Sequence, residues 1–441
     1  MNRRLSITIA KDGIKLKNTV LVCFVSAIIL TFFAIYNIAE STIYIAVALV
    51  LLIGCIVLFD AQTSFLLAIA FLPNISMMKF LGAPYALFGY FMLLVEVKYL
   101  LLHRRFNLPI SAILFSCSIV ITSAIYADSS LLLSLVRFVF FVLFVATFSK
   151  ECISTKYIRS IIVAFSFGYI FSVVAGIIYA NRSSIDIFSG LFAGIRADRN
   201  YFSALTATAI AILFVHLLKC KTALTIKVFL SSLIAMFCFV GLLSGSRTFV
   251  LSLIWCVIAA CYSLAKRKNI GFLFAGLVLL AFIYYVFEGA FAPLIERMVE
   301  RFSQEDVTGG NGRLEAWEFF LRELCSSPRN FLFGNGNASS YVALGLTSHV
   351  EHNTIVQALS TVGVVGFACW ATCLRWIYKN VLHSKPKLSQ WVSFVPLLVY
   401  WTCYMAINGF LADELMIMTF AMMLIARWLN EQDALPYRAK G

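Results

Sequence analysis

VFLSSLIAMFCFVGLLSGSRTFVLSLIWCVIAACYSLAKRK, residues 228–268, holds two long apolar runs parted only by Ser244-Gly-Ser-Arg247, and the second run ends in Lys266-Arg267-Lys268. An α-helix crosses a bilayer core with about 20 apolar residues. Each run is therefore long enough for one crossing, with the short turn at one face and the basic triplet at the other. Such runs recur along the whole chain. Of its 441 residues, 61% are hydrophobic and 13% charged, a balance beyond what a soluble core requires. The reading is an all-α, polytopic integral membrane protein.

Spans are expected near 18–36, 43–59, 62–80, 83–102, 109–126, 129–148, 158–180, 201–218, 222–243, 248–265, 271–287, 354–374, 391–408 and 411–426. That is about 14 transmembrane helices, or about 12 if the pair across 43–80 fails, where Pro73 and Asn74 interrupt the second run. Short cytoplasmic loops collect Lys and Arg. With the N-terminus inside, Arg3, Arg4, Lys11, Lys15 and Lys17 share one side with Arg104-Arg105, with Lys150, Lys156 and Arg159, and with Lys219, Lys221 and Lys227. Lys266-Arg267-Lys268, Lys379, Lys385, Lys387, Arg438 and Lys440 fall there too. The formal charge of +14 is then mostly topology and calls for no nucleic-acid partner. The first apolar run follows a basic leader and lacks a small-residue cleavage site, so it reads as a retained helix. Most of the 12 cysteines, Cys23, Cys55, Cys117, Cys238, Cys256 and Cys403 among them, sit in apolar runs as small hydrophobes. Cys325 alone stands clearly in an outer loop, so neither a structural disulfide nor thiol chemistry is expected.

Two outer segments are long, 181–200 and 288–353. The first ends Gly194-Ile-Arg196-Ala-Asp198-Arg199-Asn200 directly before a span. In the second, Phe291–Phe302 reads as an interfacial amphipathic helix, and Gly309-Gly310-Asn311-Gly312 breaks the chain. A further helix begins at Arg313, with Leu314, Trp317, Leu321 and Leu324 at helical spacing, until Ser326-Ser327-Pro328 stops it. Arg247 stands in a Gly/Ser turn at this face. Its planar fork of donors suits a phosphate, and contact with lipid headgroups is the other reading. Arg313 would occupy the first turn of its helix, where the dipole favours an anion and opposes a cation. A bound anion resolves that conflict, and so does a salt bridge to Glu315 or Glu318. His349 and His352 are the outer histidines, and no third His or Cys at a suitable spacing joins them, which argues against a catalytic metal. A neutral imidazole at His352 can accept a proton from a hydroxyl, or simply cap a helix. Deep in the spans, Glu96, Lys98 and Arg137 are what a transporter would use. A structural charge pair is the preferred reading.

Taken in order, these strings resemble the superfamily of O-antigen ligases and the related O-antigen and exopolysaccharide polymerases. They are Asp198-Arg199-Asn200-Tyr-Phe202, Ser244-Gly-Ser-Arg247-Thr, Gly312-Arg313-Leu-Glu-Ala-Trp317, Phe333-Gly-Asn-Gly336, and His352-Asn353 followed by Gly363-Val-Val-Gly366. The resemblance runs from about residue 190 to 370, and before residue 180 only hydropathy matches. It divides the chain into N-terminal transmembrane helices, 1–180, and a ligase/polymerase-like core, 181–440, that includes a periplasmic loop, 288–353. It implies a metal-independent, inverting membrane glycosyltransferase with no cofactor, at the periplasmic face of the bacterial inner membrane. Arg247 and Arg313 fall where the family binds pyrophosphate, and His352 where it holds the catalytic base. Arg196, Arg199 and Asn200 are further candidates for substrate binding. The implied partners are an undecaprenyl-pyrophosphate-linked glycan donor, a glycan acceptor (a lipid-linked repeat unit or lipid A–core), membrane lipids and, for a polymerase, a chain-length regulator. Many polymerases have Asp-Pro-Asn where this chain has Asp198-Arg199-Asn200, which leaves Arg199 without an assigned role. The Asp-x-Asn-Tyr-Phe string favours a polymerase, with the ligase as alternative and a flippase as a remote one. Cysteine-accessibility labelling should mark Gly310→Cys and Asn335→Cys from outside, and Arg267→Cys and Lys385→Cys only from inside. External labelling at position 267 would overturn the topology.

Overall fold

Hydrocarbon offers a backbone amide no water to bond, so an apolar segment that crosses it must close its own hydrogen bonds as a helix. The computed structural model describes residues 2–78, 86–103, 108–126, 129–149, 154–183, 192–194, 198–220, 223–267, 296, 299, 313–336, 341, 352–382, 388–405, 407 and 409–438. No strand occurs among them. The N-terminal helices are α1 (Asn2–Ala39), α2 (Thr42–Leu58), α3 (Ala61–Phe71), α4 (Ala86–His103), α5 (Ile110–Tyr126), α6 (Ser129–Phe148) and α7 (Thr155–Arg182). After them come α8 (Arg199–Lys219), α9 (Leu224–Leu243), α10 (Arg247–Arg267), α11 (Arg313–Leu324), α12 (Pro328–Phe333), α13 (Thr354–Leu382), α14 (Val395–Tyr404) and α15 (Asp413–Arg438). Among the described residues, 6 helices are long and apolar enough to cross a membrane by themselves, and shorter apolar helices accompany them. The chain is a multi-pass membrane protein. Every expected span coincides with helix except 271–287, which lies outside the described residues, as does nearly all of the expected helix Phe291–Phe302.

The interrupted run at 62–80 is helical in two parts. Pro73 has no N–H to continue the α-helical ladder, and α3 passes into a 3-10 segment, Leu72–Met77. At about 1.5 Å per residue for α3 and about 2 Å per 3-10 residue, the two together extend roughly 28 Å, close to a bilayer core of about 30 Å. Asn74 donates its side-chain N–H to the carbonyl of Gly168 of α7 at 2.8 Å, which ties this segment into the bundle. α14 is built likewise, with a 3-10 segment, Leu388–Phe394, leading into it.

α8 is the central helix. Ser203, Ala204, Thr206, Ala207, Thr208, Ala209 and Ala211 are all buried, and such small side chains let neighbouring backbones approach closely where no hydrophobic force drives helices together. α7, α9, α10 and α14 pack around it. Hydrogen bonds between helices, worth about 0.6–1.7 kcal/mol each in a membrane, add to the packing: Tyr169 and Thr206 pair at 2.7 Å. A second core joins Tyr99, Phe65, Phe144, Phe148 and Phe420 by ring contacts across α3, α4, α6 and α15.

One expectation is refined here. Arg137 does belong to a structural charge pair, but its partner is Asp413 of α15 at 2.6 Å, with Glu96 buried near both, while Lys98 donates to the carbonyls of Ile56, Val57 and Phe59 at the end of α2. A cation at a helix C-terminus meets carbonyls that have no partner within the helix. In α11 the buried face is Ala316, Phe320 and Leu324, while Leu314 and Leu321 are exposed. The reason is local, because Phe320 packs against Tyr341 and its carbonyl accepts from Asn335. Asn335 itself is 2% exposed, so a cysteine there would react poorly. The exposed Cys325 takes over the test: a membrane-impermeant maleimide should label the wild-type protein on intact cells, and Cys325→Ser should remove that label.

Candidate functional site

Three helices begin on an arginine: α8 at Arg199, α10 at Arg247 and α11 at Arg313. Neither α8 nor α10 has an acidic residue in its first turn, while α11 has Glu315. The starts of α8 and α10 are tied together. Asp198 caps α8 by accepting from the Asn200 amide at 2.6 Å. Ser246, just before Arg247, bonds to Ser203 at 3.0 Å, to the side-chain oxygen of Asn200 at 3.3 Å and to Thr248 at 2.8 Å. Gly245 takes φ +56°, a left-handed conformation that a glycine adopts without penalty, and so the chain reverses between α9 and α10. Ser244 and Ser246 are buried, and Arg247 is half-buried at the edge of this hydroxyl cluster.

α13 begins beside them. His352 sits at φ +44°, and Asn353 caps the helix by accepting from the amides of Ile355 and Val356 at 2.9 and 3.1 Å. Thr354 donates to the carbonyl of Tyr404, the last residue of α14, at 2.9 Å. That end of α14 also touches the other two starts, through Tyr404 against Tyr201 (ring centroids 6.0 Å) and the Cys403 thiol against the Thr248 carbonyl (3.9 Å). Three helix N-termini, from α8, α10 and α13, therefore gather around the end of one helix. Arg199, Asn200, Arg247 and His352 come to this one face. The Arg313 side chain and Arg196 lie outside the described residues, as does His349.

The spacing from His352-Asn353 to Gly363 and Gly366 has a structural cause. α13 is kinked at Gly363, which takes φ +68°, ψ −177°. A break of this kind strips carbonyls of their helical partners. The Asn335 and Gly336 amides take up two of them, donating to Ser360 O at 2.5 Å and Thr361 O at 3.3 Å. Side chains of α5 hold this loop from the other side: Thr122 donates to the Phe333 carbonyl at 2.7 Å and Tyr126 to that of Gly334 at 2.9 Å. Tyr341 completes the cover, donating to the Asn335 carbonyl at 3.4 Å. Burial raises its phenol above the ordinary range, with Tyr126 and Glu323 adding and Arg329 opposing, so it stays protonated and a donor. Gln357 and the turn between α14 and α15 had no signal in the sequence, because both act through backbone amides brought close only by the fold.

Among the described residues no group of three His, Cys, Asp or Glu is placed to hold a metal ion. A β-carbon at Gly363 would come within 2.4 Å of the Leu332 carbonyl group. Gly363→Ala should therefore destabilise the protein by on the order of 1–3 kcal/mol, read as a lower thermal midpoint in detergent. Gly54→Ala, in open space on α2, should not lower it. Equal midpoints for the two variants would remove the kink argument.

Residues 230–371 match the O-antigen ligase family. No curated protein and no solved structure matches the chain.

Proposed function

Because the chain belongs to the superfamily of O-antigen ligases and polymerases, and so carries out glycan transfer of that type in a membrane, we propose that it polymerises surface-polysaccharide repeat units carried on undecaprenyl pyrophosphate. The reaction takes place at the periplasmic face of the bacterial inner membrane. The observation that carries this is the set of helices opening on Arg199, Arg247 and Arg313. A cation in a first helical turn is opposed by the dipole, by about 0.3–1 kcal/mol when exposed. Paired with an anion, the same cation and the free amides of that turn act together.

A pyrophosphate leaving group supplies that anion. Arg247 and Arg313 grip it, and Arg196, Arg199 and Asn200 line the approach, Asn200 chiefly by fixing the Ser246 turn. His352 takes the proton of the acceptor hydroxyl as that oxygen bonds to the sugar's anomeric carbon. The bond to pyrophosphate breaks on the opposite side, which inverts the centre, and the departing charge falls on preorganised arginines. No metal and no cofactor take part. The core at 181–440 does the chemistry and 1–180 supports it within the membrane. A chain-length regulator is a fitting partner for a polymerase. Transfer to lipid A–core by the same site is the second reading, favoured by the family that residues 230–371 match.

The site is tested with a defined undecaprenyl-pyrophosphate donor. His352→Ala should lose on the order of 10²–10⁴ in rate at unchanged protein level, and chelators should have no effect. Arg247→Lys and Arg313→Lys should both be strongly impaired, since a point charge replaces a fork poorly. Arg297→Lys, Arg301→Lys and Arg322→Lys should stay near wild type, and equal losses at all five would point to loop destabilisation. Polymerase and ligase separate on a gel of the deletion strain's surface polysaccharide. Core capped with a single repeat is expected, whereas core with no repeats would indicate a ligase.

A further inference from the structure

The start of α13 is fixed by more than its own cap. Thr354 is fully buried, and its hydroxyl is shared between the carbonyls of Tyr404 (2.9 Å) and Ile407 (2.8 Å). One helical turn on, the Gln357 side-chain oxygen accepts from the amides of Gly409 (2.7 Å) and Phe410 (3.3 Å). Gly409 holds φ +133°, outside the range open to most side chains. These four contacts clamp the first turn of α13 onto the turn that joins α14 to α15.

The Asn353 cap sets where α13 begins, but a cap acts within its own helix and cannot fix that helix against its neighbours. The clamp does so. It reaches the end of α14, whose Tyr404 and Cys403 touch Tyr201 of α8 and Thr248 of α10. One route from His352 toward Arg247 through packed groups therefore runs from Thr354 to Tyr404 and Cys403, with Gln357 holding the turn that follows them. His352 itself has φ +44°, one of two non-glycine residues with positive φ among those described. That conformation is disfavoured for any residue with a β-carbon, and it persists where the surroundings over-determine it.

We propose that Gln357 and Thr354 are positioning residues for the transfer, holding the His352 backbone at the reach its proton transfer requires. This rests on the reading of His352 as the base. Gln357→Leu keeps the size of the side chain and removes the acceptor, whereas Gln357→Glu keeps an oxygen for both amides. Thr354→Val and Thr354→Ser form the matching pair, the first losing the donor and the second keeping it.

The full-length variants are compared in proteoliposomes. The probe is the lipid-linked oligosaccharide that accumulates in membranes of the strain lacking this chain. A misplacement of about 1 Å can cost about a hundredfold in rate, so kcat should fall by that order in Gln357→Leu with KM for the lipid-linked donor unchanged. Gln357→Glu should recover most of the rate, and Thr354→Ser should exceed Thr354→Val. The proposal is overturned if Gln357→Leu turns over like wild type, if Leu and Glu are equally impaired, or if the loss appears in KM alone. His352→Ala is run alongside. An active His352→Ala sinks the assignment of the base, and the clamp's role with it, while an inactive His352→Ala beside a fully active Gln357→Leu sinks the clamp alone.

Discussion

A helix broken inside a membrane exposes carbonyls that hydrocarbon cannot hydrate, and the arrangement around α13 follows from that one constraint. Gly363 makes the break, and the amides of Asn335 and Gly336 meet carbonyls in the turn before it. A loop can enter this depth only if it brings donors and no bulk. Gly334 and Gly336 meet that condition, both at positive φ and both so close to neighbours that a β-carbon would clash. α5 then closes over the loop with Thr122 and Tyr126. Two motifs far apart in the chain are thus halves of one joint.

The joint bends the helix that carries His352 at its start, and the other end of the argument lies in α8. A helix buried on nearly all sides must be slim, and its run of Ala, Ser and Thr lets α7, α9, α10 and α14 approach it. α9 and α10 both pack on α8, and the tight turn at Ser244–Ser246 between them is pinned to its first turn by the hydroxyl cluster. Packing of the bundle and placement of Arg247 are in this way the same set of contacts.

Much of this was legible in the sequence. Apolar runs of sufficient length marked the spans, and Pro73 marked an interruption whose form, a change of pitch, only the fold shows. Arg247 and His352 stood out as candidates because strong cations and a titratable base are rare at the ends of such runs, and Arg313 because it opens a helix within the long polar loop. What could not be read depended on partners distant in sequence. Arg137 was visible as a buried cation, yet its partner Asp413 lies on a helix far along the chain, and Lys98 serves backbone carbonyls that leave no trace in side-chain identity. The helix at Arg313 was readable from its apolar spacing, but which of its faces is buried depends on Tyr341 and Asn335, which sit outside it.

Arginines at the starts of α8 and α10 would weaken these helices if the molecule were optimised for stability alone, because the dipole and the guanidinium repel. The hydroxyl cluster of Ser203, Ser246 and Thr248 holds the two starts together in spite of that repulsion and adds no charge of its own. Asp198, which caps α8 by accepting from the Asn200 amide at 2.6 Å, complements the dipole that Arg199 opposes.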